Sequence, residues 1–209
     1  LNLQEECVYE VVGLSFPPLP EEGADHEGVQ ALQVEDALKY GAVQLFIQRA
    51  RRVEPNFALT DQNVSHVARI CRLVGGMPLA LELAAPWMRM LSLEEIEREI
   101  ERGLDILTTS LRNLPERHRS VRAMFEQTWR QLSEAEQEIL AQFSVFHGGC
   151  LREAAEQVTG AHIQLLMGLV DKALLRHRSG RFDMHELVRQ FAAERLAADP
   201  EKQRQAFIR

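Results

Sequence analysis

The histidine of Met184-His185-Glu186 stands where a hairpin pattern gives way to a helical one. There an imidazole can donate a ring N–H to a phosphate oxygen, helped by the positive end of the following helix, or it can cap its own turn. A second candidate is the run Gly75-Gly76-Met77-Pro78-Leu79-Ala80-Leu81-Glu82-Leu83-Ala84. Two glycines close one helical pattern and a proline opens the next. Glycine supplies the positive φ of a helix stop, and proline at a first helical position loses nothing by lacking its N–H. Such a corner can hold an apolar side chain and a rigid ring against a ligand, or it can be an ordinary helical hairpin.

Other chemistry is conspicuous by absence. No Gly-x-x-x-x-Gly-Lys-Ser/Thr run occurs, so the sequence has no phosphate-cradling loop, and no nucleophile elbow, His-Glu-x-x-His pair or EF-hand loop appears. His147-x-x-Cys150 has a metal-pair spacing, but no second pair completes a four-ligand set, so both residues read as structural and no metal is expected. The carboxylates are spread along helix surfaces without an acid/base dyad. The chain by itself is therefore not expected to be an enzyme. A basic cluster (Arg112, Arg117, His118, Arg119, Arg122) can touch a phosphate or form a solvated linker face.

The elements that would position these residues are mainly helical. The 209 residues are 45% hydrophobic and 26% charged, an ordinary globular balance, and the formal charge of −7 speaks against a main role in gripping phosphate backbones. No apolar run of about 18 residues is present, so no membrane partner is expected. Cys7, Cys71 and Cys150 fit reduced thiols in a cytoplasm. The first residue is Leu1 and no secretory leader follows, which suggests a piece of a longer cytoplasmic protein.

A short strand is expected over Val8 to Val12, then a Pro- and Gly-rich loop from Phe16 to Gly28. Helical periodicity runs over Glu35 to Arg52, with a break near Gly41, and over Asn63 to Val74, capped by Thr60 or Asp61. Further helices are expected from Pro78 to Met90 and from Ser92, a capping box with Glu95, to Arg102. Breakers fill Gly103 to Ser120. Then come helices over Val121 to Arg130, Glu134 to Phe146 (boxed by Ser133 and Glu136), Leu151 to Val158 and His162 to Lys172. Leu174 to His177 and Arg181 to Met184 flank Arg178-Ser179-Gly180 as a hairpin, and Glu186 to Ala198 is a last helix. Three helices followed by a hairpin is the order of a winged helix. The fold class is mainly α: a helical lid bundle, then a winged-helix domain with a small β-hairpin.

In this order the motifs resemble the STAND-class signalling ATPases, the group of NB-ARC proteins and bacterial AfsR/LuxR-like transcriptional regulators. Gly76-Met77-Pro78-Leu79 resembles the GLPL motif, with Met in place of the first Leu, and Leu81-Glu82-Leu83-Ala84-Ala85 continues it as in bacterial members. Phe57-Ala58-Leu59-Thr60 resembles the segment before the preceding helix. Leu132-Ser133-Glu134-Ala135-Glu136 and Phe143-Ser144-Val145-Phe146-His147-Gly148-Gly149 resemble the opening of the family's winged helix, and Leu169-Val170-Asp171-Lys172-Ala173-Leu174 its third helix. Met184-His185-Glu186 resembles the MHD motif, with Glu for Asp; the longer carboxylate is expected to cap the last helix.

The resemblance implies residues 1–33 as the end of an upstream α/β NTPase domain, 34–105 as the lid, 106–120 as a linker, 121–200 as the winged helix and 201–209 as the start of a following helix. It implies a P-loop before Leu1 and helical repeats after Arg209, both as intramolecular partners. It implies ADP or ATP with Mg in the full-length ATPase, with no nucleotide held tightly by this fragment. Gly76, Met77, Pro78, Leu79 and His185 would be the nucleotide-binding residues, Pro78 near the adenine and His185 on the β-phosphate of ADP, holding an off state that homo-oligomerises once ATP enters. No direct nucleic-acid contact is expected. Two other readings compete: a DNA-binding winged helix, weakened by the mostly apolar Ala161 to Lys172 but kept alive by Arg176, Arg178 and Arg181, and a structural helical adaptor.

Overall fold

In the computed structural model the described residues are 12–18, 32–109 and 119–198. Apart from Val12, the expected strand at Val8 to Val12 lies outside them, as do Cys7, most of the Phe16-to-Gly28 loop, Arg112, Arg117, His118 and residues 201–209.

The first helical pattern divides at residues 38–40 into α1 (Val34–Ala37) and α2 (Gly41–Ala50). The reason is tertiary: Ser15, from the segment before α1, supplies acceptors to the start of α2. Its carbonyl takes the Ala42 N–H at 3.0 Å and its Oγ the Gly41 N–H at 3.3 Å. These are orphan donors that a continuous helix would not have. Helix α3 (Val64–Leu73) starts after Asn63, not after Thr60 or Asp61. The Asn63 side chain instead folds the preceding turn, accepting from the Thr60 N–H at 2.8 Å and donating to the Ala58 carbonyl at 3.0 Å.

Helix α4 (Pro78–Ala84) gives way to a 3-10 turn over Ala85–Arg89 and does not run on to Met90. Pro86 accounts for this, since its ring presses on the carbonyl of Glu82 and it has no N–H to give. Helix α5 (Leu93–Arg102) carries the expected capping box: Ser92 Oγ accepts from Glu95 N–H and Glu95 returns to Ser92 N–H at 2.8 Å. It packs on α3 through the buried Glu97, which takes Arg69 Nε at 2.7 Å and lies 2.9 Å from His66 Nδ1.

After a 3-10 turn at Leu104–Ile106 come α6 (Val121–Trp129) and α7 (Glu134–Phe143), the latter ending three residues before the expected Phe146. Helices α8 (Arg152–Thr159) and α9 (Ile163–Asp171) follow, then a hairpin of β2 (Arg176–Arg178) and β3 (Arg181–Asp183), and α10 (Glu186–Ala197). The hairpin is shorter than its sequence pattern because Leu174 and Leu175 turn into the core. Its two-residue loop, Ser179-Gly180, has both φ positive, the geometry that matches strand twist. A third strand, β1 (Cys150–Leu151), completes an antiparallel sheet of order β1-β3-β2, with Cys150 opposite Phe182 and His177 opposite the same residue. Two residues give no periodic signal, so β1 was not legible in the sequence.

One apolar core runs through both parts. Leu81, Ile100, Leu104 and Leu107 from the lid side join Val121, Phe125, Leu187 and Phe191 from the winged-helix side. Phe125 and Trp129 each lie 5.7 Å from the Phe191 ring, and Arg195 stacks over Phe191 at 4.9 Å. At one edge Arg122 of α6 bonds Asp105 through Nε at 2.7 Å and both carboxylate oxygens of Glu194 in α10. Burial of this continuous surface sets how α10 lies against the lid.

Candidate functional site

The site begins where α3 stops. Gly76 N–H returns to the Cys71 carbonyl at 2.9 Å and Gly75 N–H to the Arg72 carbonyl at 2.8 Å, the paired bonds of a Schellman stop. Both glycines have positive φ, 56° and 65°. Their conformation reverses the chain, so that Met77 is extended and Pro78 begins α4 at its first turn. Gly76 is buried, Met77 and Leu79 are half-buried, and the Pro78 ring faces outward.

Two other elements close on this turn. From one side comes the segment 12–18: Leu14 N–H donates to the Gly76 carbonyl at 2.9 Å. Any side chain at Gly76 would overlap the Leu14 carbonyl. From the other side comes His185, which precedes α10. Its Nδ1 accepts the Leu187 N–H at 3.2 Å, so the histidine does cap its own turn. That bond places the proton of the neutral ring on Nε2, and Nε2 is the atom that points at Gly75: a methyl there would overlap it. Gly75 and His185, far apart in sequence, are thus in direct contact, and the two sequence candidates form one junction.

The electrostatics favour the neutral ring. Burial pushes the His185 imidazole below its ordinary 6.5, and the Arg176 cation adds to this. A hydrogen bond with the Gly75 backbone and the carboxylates of Glu186 and Asp183 pull the other way without reversing it. Glu186 does not cap α10, contrary to the sequence expectation. Its carboxylate is held by a fork from Arg189, Nε at 2.8 Å and Nη2 at 2.6 Å, and Arg189 also reaches the Ser144 carbonyl at 3.5 Å. Burial alone would raise the Glu186 carboxyl, but the Arg189 fork outweighs it and holds it below the usual carboxylate range.

Helix α9 carries Ile163 and Met167 exposed on its surface. Lys172, at its end, is committed at 2.5 Å to Glu136, whose other bonds close the Ser133 capping box at the start of α7. In the wing, Arg181 donates to the Gly149 carbonyl at 2.9 Å. His147 is exposed and Cys150 buried, and among the described residues no cluster of metal-ligating side chains occurs. Cys71 lies in the core with its thiol pushed up to about 12 by burial, which removes it as a nucleophile. Among the described residues no helix is long and apolar enough to cross a membrane.

The reading from sequence did not anticipate Gly13, Leu14 and Ser15 at the junction. The only signal available was a glycine outside any turn pattern, which is too common to single out.

No protein-family model matches the chain. It is similar to proteins of Mycobacterium tuberculosis and Mycobacterium bovis provisionally named HTH-type transcriptional regulators, 32% identical over 167 residues, covering 74% of this chain and 19% of theirs. It is also similar to an uncharacterized protein of Mycobacterium tuberculosis, 32% identical over 178 residues, 79% of this chain and 45% of that protein. The chain therefore spans less than half the length of these relatives. The names of the first group are consistent with a regulatory role.

Proposed function

We propose that the chain is the regulatory part of a nucleotide switch in a bacterial transcriptional regulator of the STAND class, acting in the cytoplasm. The observation that carries this reading is the contact of His185 with the turn that leads into Met77 and Pro78. Pro78 presents an apolar ring outward, and His185 carries its hydrogen on Nε2, which in this arrangement is engaged by the Gly75 backbone. An exposed apolar ring beside an imidazole that would exchange its Gly75 partner for a phosphate oxygen supports a nucleoside diphosphate such as ADP as the ligand.

On this reading Gly76, Met77, Pro78 and Leu79 would lie along the base side and His185 on the phosphate side, while the phosphate cradle, the magnesium site and the ATPase chemistry lie elsewhere in the same polypeptide, and the released form self-associates. ADP would supply contacts present only in the closed arrangement, which is the condition for a ligand to shift an equilibrium. The test is His185→Ala in the longer protein, with release of a fluorescent ADP analogue followed by stopped flow. A charge-assisted bond worth about 1.5–3 kcal/mol predicts release roughly 10- to 100-fold faster. Unchanged release would overturn the assignment of His185, and micromolar ADP binding by this chain alone would overturn the division of labour.

A second reading, DNA binding by the winged helix, is favoured by the names of the mycobacterial relatives. In its support stand Arg176, Arg178 and Arg181 in the wing. Against it stands α9, whose exposed face is Ile163, Gln164 and Met167, with one amide and no Arg or Lys, and whose nearest lysine is taken by Glu136. Base and phosphate readout rest chiefly on Arg, Lys and amides. A salt-sensitive gel shift on random duplex would favour this reading; no shift at low salt would remove it.

A further inference from the structure

The Gly75-Gly76 turn is enclosed by His185 and by the segment 12–18, and the second enclosure depends on a residue outside every motif. Gly13 does not have a positive φ, so its backbone conformation is open to any residue. Space is what makes glycine necessary. A Cβ at Gly13 would lie 2.5 Å from the Gly75 carbonyl oxygen and 3.1 Å from both the carbonyl carbon and the oxygen of Gly76. These are backbone atoms of a turn already fixed by its own bonds to Arg72 and Cys71, by Leu14 N–H on the Gly76 carbonyl and by the rest of α3. They cannot swing aside as the end of a side chain could.

The contrast with other glycines is informative. Gly148 and Gly180 have positive φ and nothing within 4 Å of an added Cβ, so they serve backbone conformation alone. Gly13 is the reverse case, a glycine kept for contact. The residue it touches is the one that also meets His185. Gly13, Gly75 and the His185 ring are therefore in successive contact, with no gap between neighbours for even a methyl group.

We infer that Gly13 is a positioning residue for His185: by bearing on the Gly75 carbonyl it sets where the imidazole of the winged helix comes to rest. The segment 12–18 is thereby a transmission element. A displacement of this segment reaches His185 through a single rigid peptide, beside the contacts that Leu14 and Phe16 make with the core. The same segment also caps α2 through Ser15, so its position is registered at two places on the lid. The inference rests on the proposed nucleotide switch only for its consequence; the contact itself is independent of any ligand.

The experiment is ¹⁵N and ¹H NMR of the imidazoles in this chain, in wild type, Gly13→Ala, Ser15→Ala and Gly180→Ala. Wild-type His185 should show an Nε2-protonated tautomer. Gly13→Ala must move the Gly75 peptide by roughly 0.5 Å or more to relieve the contact. The expected result is a shift of both His185 ring nitrogens toward a mixed-tautomer pattern, with the His162 and His177 signals unmoved. Ser15→Ala, which loosens the segment without adding an atom, should give a smaller shift of the same sign and serves if Gly13→Ala does not fold. Gly180→Ala should leave His185 unmoved. An unchanged His185 in folded Gly13→Ala, or in Ser15→Ala where the first does not fold, would overturn the inference. In the longer protein, Gly13→Ala should release ADP about tenfold faster if His185 also serves the nucleotide. A His185 shift without faster release would leave the positioning role standing and count against the nucleotide reading, so the two failures are distinct.

Discussion

Replacing Gly75 by alanine probes the junction most directly, and its cost can be worked from two separate terms. Gly75 sits at φ 56°, where a Cβ costs about 1–2 kcal/mol for conformational reasons. An added methyl would also overlap His185 Nε2, and overpacking of this kind costs about 1–3 kcal/mol. Gly75→Ala should thus lose about 2–5 kcal/mol, or roughly 4–20 °C in Tm for a chain of this size.

The second term needs the imidazole to be present. In a His185→Ala background only the conformational part should remain, so a double-mutant cycle should give a coupling of about 1–3 kcal/mol. Gly180→Ala, at φ 77° with open space around the added methyl, supplies the conformational term alone and should show no coupling to His185→Ala. Urea unfolding followed by circular dichroism measures all of these. Additivity of Gly75→Ala and His185→Ala within about 0.5 kcal/mol would refute the contact and with it the joining of the two motifs.

Three further outcomes are expected. Because His185 has a folded pKa below its ordinary 6.5, the unfolded state binds the extra proton first as pH falls. Its contribution to stability should be full above about pH 6.5 and decline below it; urea midpoints at pH 7.5 and 5.5 should differ more in wild type than in His185→Ala. Arg122→Ala removes the bonds that tie Asp105 and Glu194 across the lid and the winged helix, and since these groups are partly exposed the loss should be about 1 kcal/mol and shrink in high salt, as thermal melts at two ionic strengths would show. Cys71, fully buried with its thiol near 12, should resist alkylation at pH 8 in the native chain and react in denaturant, as mass spectrometry of the labelled peptide would report.

Much of the architecture was written in local patterns. The Ser92/Glu95 and Ser133/Glu136 boxes appear where the residue spacing put them, because capping is a contact between residues three apart. The hairpin with Ser179-Gly180 at its tip and the helix after His185 likewise follow from turn chemistry and periodicity. The break near Gly41 was legible, but its capping by Ser15 from a separate segment was not; Glu186 is engaged by Arg189 one turn on in α10, and the reach of Arg189 to the Ser144 carbonyl at the end of α7 left no trace in the sequence.

By itself the sequence determined the helix stop at Gly75-Gly76, the proline start at Pro78 and a histidine at a hairpin–helix boundary, since each depends on backbone preferences of a few neighbouring residues. It could state the alternatives at His185, capping or ligand contact, but not the fact that the ring does the first with Nδ1 and leaves Nε2 for Gly75. That division, the bearing of Gly13 on the same peptide and the single core joining lid to winged helix were decided only in the tertiary structure. The physical reason is that excluded volume between residues far apart in sequence leaves no periodic trace, whereas the conformational demands of a turn do.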